Sequence, residues 1–411
     1  MNWTFRLSDL YLIRKEKLAI GLFHVGMLIA FLGSMSPWFL WPLGTFYPAL
    51  AALFIVAALM VSYTMEEPVF SHADYLWPLL AFIVYYVYEG LSSGRNINGY
   101  IMMLFKAVIV FSLLYLNTER LFRLTTFIAK VMGVLLAVSL AGHFLYLMGI
   151  PLPGKSVQFG EFYTFTNHYL FLLDDRNLFT IVPRFNSYFP EPSHIGSAAA
   201  FLLFAQRGHW RKWYNMVLFA TIFFSFSLAA YIYLTVIIFL NLWIEKKEMF
   251  RKLAVTVALL IIAVTAAFTY NGGNNLVHDL ILLRLEVDDD KLAGDNRVTG
   301  NFERDYENFL SSKDIIFGRK YDSNVEFGNA GYKVFFYDHG LVGILLVVTF
   351  YFLALRGATN KRAVASVFVI LSLFFIVSAY MFLEKLLIPL YATAYYDNLP
   401  PESPSPQNAE I

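Results

Sequence analysis

An all-α, polytopic transmembrane bundle of eleven or twelve spans is the fold class this sequence predicts. Three observations predict it. Hydrophobic residue types make up 58% of the 411 residues and charged types only 15%, against about 45–50% apolar and about 25% charged in a soluble domain. The apolar residues are contiguous, in about ten stretches that approach the ~20 residues needed to cross about 30 Å of hydrocarbon. Stretches such as 253–270 are apolar on every face. That departs from the period-2 alternation of a membrane barrel and leaves helices, which satisfy their own backbone groups in lipid.

The spans are expected at 19–36, 43–63, 76–92, 100–116, 127–149, 193–206, 214–230, 231–244, 253–270, 333–355 and 363–383. A short apolar piece at 386–396 would make a twelfth and return the chain to the side on which it started. The first 18 residues carry Arg6, Arg14, Lys15 and Lys17, with no small-residue cleavage site before the first apolar run. That run reads as a retained span rather than a signal peptide.

Orientation follows from Lys and Arg in the short loops. One face receives Arg14, Lys15 and Lys17, then Arg120, Arg123 and Lys130, then Arg207, Arg211 and Lys212. Lys246, Lys247, Arg251 and Lys252 follow, then Arg356, Lys361 and Arg362, and this face is expected to be cytoplasmic. The opposite short loops hold only Arg95. The run 213–244 is 32 residues long with basic residues on both flanks. Two short spans with a turn at 225–227 keep both flanks inside. Residues 1–399 thus form one integral membrane domain. Its two long external loops, about 151–192 and 271–332, are expected to be partly helical, and the Pro- and Ser-rich tail 400–411 to be disordered.

Composition removes several function classes. Cysteine is absent, so there is no disulfide scaffold and no thiolate chemistry. A net charge of +1 carries no basic excess for nucleic acid. No Walker A sequence, His-Glu-x-x-His zinc motif or pore-filter sequence occurs, and no cluster compels a metal or cofactor. The 41 Phe, 26 Tyr and 7 Trp are an excess that suits interfacial belts and interhelical bulk.

Candidate chemistry lies where the first long loop re-enters the bundle, at Arg184-Phe-Asn-Ser-Tyr-Phe-Pro-Glu191-Pro-Ser-His194-Ile-Gly196. Pro190 and Pro192 restrain the backbone around Glu191. Ser193 is placed to cap a helix starting at His194, and the free N–H groups of a helix start suit an anion. Arg184 adds a fork of donors matched to phosphate or carboxylate. The plainer alternative is that Arg184 and Glu191 pair and only set the angle of the loop. The second loop carries Arg284, Arg297, Arg304, Arg319 and Lys320 among acidic neighbours that would otherwise neutralise them. Arg297 and Arg304, seven apart, would share a face of one helix. Within the spans, Glu89 and Lys106 read as a pair or as snorkelling groups, and His143 as a packed histidine. Glu384 and Lys385 read as interfacial charges.

With these residues in place, the layout resembles the bacterial O-antigen polymerase and O-antigen ligase superfamily of membrane glycosyltransferases. The resemblance rests on Arg184 to Gly196, on Phe317-Gly-Arg319 with Gly328-Asn329 and Asp338-His-Gly-Leu-Val-Gly-Ile344, and on the serine break at 225–227. Gly328 stands where ligases place a histidine before the asparagine, which favours the polymerase branch. The resemblance implies an enzyme that joins oligosaccharide repeat units carried on undecaprenyl pyrophosphate at the outer face of the inner membrane. A flippase and a chain-length regulator would be pathway partners. It also implies Glu191 as a base on the acceptor hydroxyl, with Arg184 and Arg297 neutralising the leaving pyrophosphate. Arg304, Arg319, His194, Lys320 and Asn329 would contact pyrophosphate and saccharide. The alternatives are a ligase that passes the glycan to lipid A core or another acceptor, a transporter of lipid-linked sugar, and a structural partner in polysaccharide export.

Overall fold

The computed structural model describes residues 7–65, 75–93, 97–160, 163–175, 183–207, 209–245, 249–273, 275, 287–288, 291–292, 300–319 and 331–399. Expectations placed on Arg95, Lys246, Lys247, 276–285, Arg284, Arg297, Lys320, Gly328, Asn329 and the tail 400–411 lie outside the described residues.

Helices carry the architecture. They are α1 (Leu7–Gly33), α2 (Tyr47–Tyr63), α3 (Leu76–Ser93), α4 (Ile97–Leu114), α5 (Thr118–Leu147), α6 (Pro192–Ala205), α7 (Trp213–Phe224), α8 (Leu228–Glu245), α9 (Met249–Thr269), α10 (Gly300–Leu310), α11 (Gly331–Leu355), α12 (Lys361–Val377) and α13 (Glu384–Tyr395). Each expected span coincides with one of them. Among the described residues, however, six helices are long and apolar enough to cross a membrane, fewer than the eleven or twelve spans expected. Three of the others are short. Helices α6, α7 and α13 have 14, 12 and 12 residues, or about 18–21 Å at 1.5 Å per residue.

The break in the run 213–244 falls at the serines. Phe226 takes a left-handed φ of 45°, and Ser225 Oγ donates to Ile222 O at 2.7 Å. Tyr214 at the start of α7 lies 3.4 Å from Gln206 at the end of α6, while Ala230 at the start of α8 touches Gly196 near the start of α6. Helix α7 therefore runs along α6 in one direction and α8 returns along it.

The basic flanks gather at one end of the bundle. Arg120 pairs with Glu16 at 3.2 Å, and Arg207 with Asp397 at 3.1 Å. Asn360 also holds Asp397 at 2.8 Å, and Arg362 donates to Trp243 O at 2.9 Å. Helix α13 thus brings the chain back to the end where α1 begins.

The other end carries the loops, and here one expectation fails. The first long loop is a three-stranded antiparallel sheet, β1 (Lys155–Phe159), β2 (Tyr163–Asn167) and β3 (Leu172–Asp174), rather than a partly helical segment. Its sequence alternates. In Tyr163-Thr-Phe-Thr-Asn167, Phe165 and Asn167 are buried while Thr164 is exposed, the period-2 pattern of a strand lying on a packed surface. Trp41 packs on Phe159 and Phe165, and Leu172 N donates to Ser187 O at 2.7 Å, tying the sheet to the bundle. In the second loop the expected helix is present as α10. A two-residue ladder, β4 (Val287–Asp288) and β5 (Lys291–Leu292), precedes it.

The centre of the bundle is α6. Every residue from Ile195 to Ala205 is buried, and Gly196-Ser-Ala-Ala-Ala200 lets neighbouring helices approach closely. A Cβ at Gly196 would lie 2.6 Å from the Ala230 methyl. Gly196→Ala is therefore expected to destabilise the protein by about 1–3 kcal/mol through overpacking. Thermal unfolding of the purified protein in detergent measures this, and an unchanged midpoint would show that α6 and α8 can separate freely.

Candidate functional site

The re-entry segment places its acid on α6 differently from the expected capping. The helix begins at Pro192, with Glu191 as the N-cap residue in extended conformation (φ −131°, ψ 139°). Ser193 does not cap a helix at His194. A proline at N1 suits a helix start, and the residue before a proline is driven to extended geometry, so Pro192 sets the boundary. The Ser193 hydroxyl instead donates to Glu191 Oε2 at 2.8 Å. Tyr163, the first residue of β2, donates to Glu191 Oε1 at 2.5 Å. His194 Nδ1 lies 3.3 Å from Met35 O, at the end of α1. The sheet, α6 and α1 together hold one half-buried carboxylate at the loop end of the bundle.

Burial alone would raise the Glu191 carboxyl. His194, the two hydrogen bonds and Lys385 outweigh it and hold the group below the ordinary glutamate range. Arg184 and Glu191 make no ion pair among the described residues. Arg184 Nε reaches Ser225 O at 3.4 Å, so it braces the α7–α8 break.

Helix α13 supplies what the sequence reading missed. Glu384 and Lys385, read as interfacial charges, are 2% and 4% exposed. The backbone N–H of Lys385 donates to Ser34 Oγ at 3.1 Å. Glu384 accepts from Tyr47 at 3.3 Å, and Lys106 has Tyr86, Glu384 and Tyr47 as its electrostatic neighbours. Lys106 thus meets α13 rather than Glu89. Glu191 and His194 are charged neighbours of Lys385. Opposed charges side by side at the head of an apolar helix were the available signal. Which way each points depends on helices remote in sequence.

The second motif builds a different object. Gly340 (φ 58°) kinks α11, and Gly318 (φ 77°) packs against it. A Cβ on Gly318 would lie 2.3 Å from Asp338 O, and one on Gly340 would lie 2.5 Å from Gly318 N. Val342 N donates to Ile316 O at 3.0 Å and Arg319 N to Tyr337 O at 2.7 Å across the same contact. Tyr88 Oη sits 2.6 Å from Phe317 O and 2.8 Å from His339 O. Glu89, on the same turn of α3, is the charged neighbour of Asp338. The segment 314–319 is thereby locked onto α3 and α11.

The loop arginines divide accordingly. Arg319 pairs with Asp305 at 3.0 Å and Asp314 at 2.8 Å, and lies over the rings of Phe309 and Tyr337. Its neighbours neutralise it, the alternative its acidic surroundings allowed. Arg304 is exposed on α10, whose other face buries Phe302, Tyr306 and Phe309. Helix α10 is described from Gly300, so the face expected to be shared by Arg297 and Arg304 lies partly outside the described residues. His339 is buried between Tyr85 and Phe335, and His143 between Phe171 and Phe185.

Two outcomes are expected. A hydrogen bond to the charged form favours it, and stability from a depressed carboxyl is present above its unfolded value and lost as pH falls through its folded value. Tyr163→Phe removes one such bond. It should move the acid limb of the stability–pH profile upward by about one pH unit, given roughly 1.5 kcal/mol for a bond to a charged group. An unmoved limb would mean that Tyr163 does not hold Glu191 in solution. Gly340→Ala combines a left-handed φ with a backbone clash, and should release 314–319. Hydrogen exchange at Gly318 and Arg319 is expected to rise about tenfold or more, since strain of this kind costs on the order of 1–3 kcal/mol.

In comparisons with known proteins, no family model, no curated protein and no solved structure matches this chain.

Proposed function

We propose that the chain is a polytopic membrane glycosyltransferase that polymerises undecaprenyl-pyrophosphate-linked oligosaccharide repeat units. In this reading the basic end of the bundle faces the cytoplasm, as Lys and Arg distribution demands. Both ends of the described chain lie there, and the loop end faces outward on the inner membrane.

The observation that carries the proposal is the Glu191 carboxylate, oriented by Tyr163 and Ser193 at the start of α6. A general base must be ionised, fixed in direction and within about 3 Å of the hydroxyl it activates. Glu191 meets the first two conditions, and a saccharide bound at the loop end would meet the third. Trp41, Phe159 and Tyr163 form a half-exposed aromatic wall beside it, a surface suited to the apolar C–H face of a sugar ring. The donor leaves as a pyrophosphate ester, whose charge needs preorganised cations. Arg184 and Arg304 remain candidates on the loop side, with His194 beside Glu191, and Arg297, Lys320 and Asn329 remain candidates from the sequence. Arg319, held by two aspartates, is better suited to shaping the loop. A flippase supplying the repeat unit and a regulator of chain length would be partners in the same pathway.

Purified protein in lipid, given only the lipid-linked repeat unit, should produce a ladder of longer lipid-linked glycans without ATP or nucleotide sugar. Glu191→Gln should lower the rate by about 10²–10⁴-fold, the usual worth of a general base. Absence of a ladder from folded protein with the correct repeat unit would sink the polymerase reading, and transfer to an added acceptor would then identify a ligase.

A further inference from the structure

The turn that follows α10 has an apolar outside and a closed backbone. Phe317 is 62% exposed and Ile316 45%. Yet the N–H groups of residues 316 to 319 all donate within the protein. Ile316 donates to Lys313 O, Phe317 and Gly318 to Asp314 O, and Arg319 to Tyr337 O. The carbonyls of Ile316 and Phe317 accept from the Val342 N–H and the Tyr88 hydroxyl. A turn in water needs none of this, because water satisfies exposed backbone groups and disfavours an exposed phenylalanine. In hydrocarbon both conditions reverse. Irregular backbone is tolerated there only where its polar groups are bonded within the protein, and apolar side chains face lipid without penalty.

The level of the turn agrees. It touches α11 at Gly340, nine residues from the start of that helix, and α3 at Tyr88, five residues from its end. At 1.5 Å per residue the contacts lie about 13 Å and about 8 Å below the loop ends of the two helices. The turn therefore lies alongside the bundle rather than above it. Exposed apolar residues flank it at helical spacing, Val84, Val87 and Leu91 on α3 and Leu341, Leu345 and Phe352 on α11. Lys313 and Asp314, where the turn begins, are exposed charges suited to the headgroup level, and a tyrosine hydroxyl such as that of Tyr88 is at home at the same interface.

We propose that Ile316 and Phe317 form a wedge that dips into the bilayer, seated among the acyl chains of the leaflet at the loop end, against α3 and α11. The partner of this surface is the lipid itself. The assignment rests on the reading of the bundle as membrane-spanning, and is independent of any glycan chemistry. It makes the second long loop bilayer-anchored at its base, with the charged face of α10 held at the level of the headgroups.

The test is spin-label accessibility on the full chain in nanodiscs of zwitterionic lipid. The protein has no cysteine, so Phe317→Cys, Ile316→Cys, Lys313→Cys and Leu345→Cys each carry a single nitroxide. Dioxygen concentrates among acyl chains, whereas a nickel chelate stays in water. Labels at 316 and 317 should collide more often with oxygen than with nickel, as the label at 345 does, and the label at 313 should show the reverse. Positions 316 and 317 are both exposed, so either one reads the wedge should the other variant fail to fold. Nickel-favouring labels at 316 and 317, with an oxygen-favouring label at 345, overturn the wedge and leave the membrane-spanning reading of α11 standing. A nickel-favouring label at 345 sinks that reading and the wedge with it. Labels at 316 and 317 shielded from both reagents overturn the lipid assignment in favour of cover by protein, such as a second copy of the chain.

Discussion

The close packing of α6 is the constraint on which the rest depends. A helix buried on all faces must offer small residues wherever neighbouring backbones approach. Gly196 through Ala200 do so, letting α8 approach to methyl contact. Because α7 and α8 run along α6 in opposite directions, and α13 packs on it as well, the start of this one helix sets the place where several elements converge. Glu191 sits at that start. Its position follows from packing more than from the chemistry of its own segment.

Charge is handled differently at the two ends. At the basic end, arginines meet acids and carbonyls from distant helices, as Arg207 does with Asp397 and Thr393. Those contacts close the bundle. At the loop end the acids are held by hydroxyls, Glu384 by Tyr47 and the half-buried Glu191 by Tyr163 and Ser193. Hydrogen bonds from hydroxyls let a carboxylate stay ionised without a direct salt bridge. The glycine lock at 318 and 340 adds rigidity from another side, because two backbones that touch directly cannot slide as side chains can.

Much of the architecture was legible in the sequence because its cause is local. Contiguous apolar stretches became helices. The serine break at 225–227 separated α7 from α8. The re-entry segment and the Phe317–Arg319 and Asp338–Ile344 motifs both turned out to shape the loop end. The misses share a cause too. Alternation in Tyr163-Thr-Phe-Thr-Asn167 was the mark of a strand, but a five-residue pattern inside a polar loop competes with the turn residues around it. Ser193 had the chemistry of a cap, and Pro192 pre-empted it.

By itself, the sequence determined the helical class, the positions of the helices and the accumulation of basic residues toward one end, because hydrophobicity and helix length act through residues close in the chain. Only the tertiary structure decided that Arg319 is neutralised by Asp305 and Asp314, that Glu384 is matched by Tyr47 and Lys106, and that Lys385 has Glu191 as its charged neighbour. Each of those outcomes depends on which side chains from remote helices share a buried volume. Burial makes an ionic group costly or useful, and burial is a property of the packed bundle.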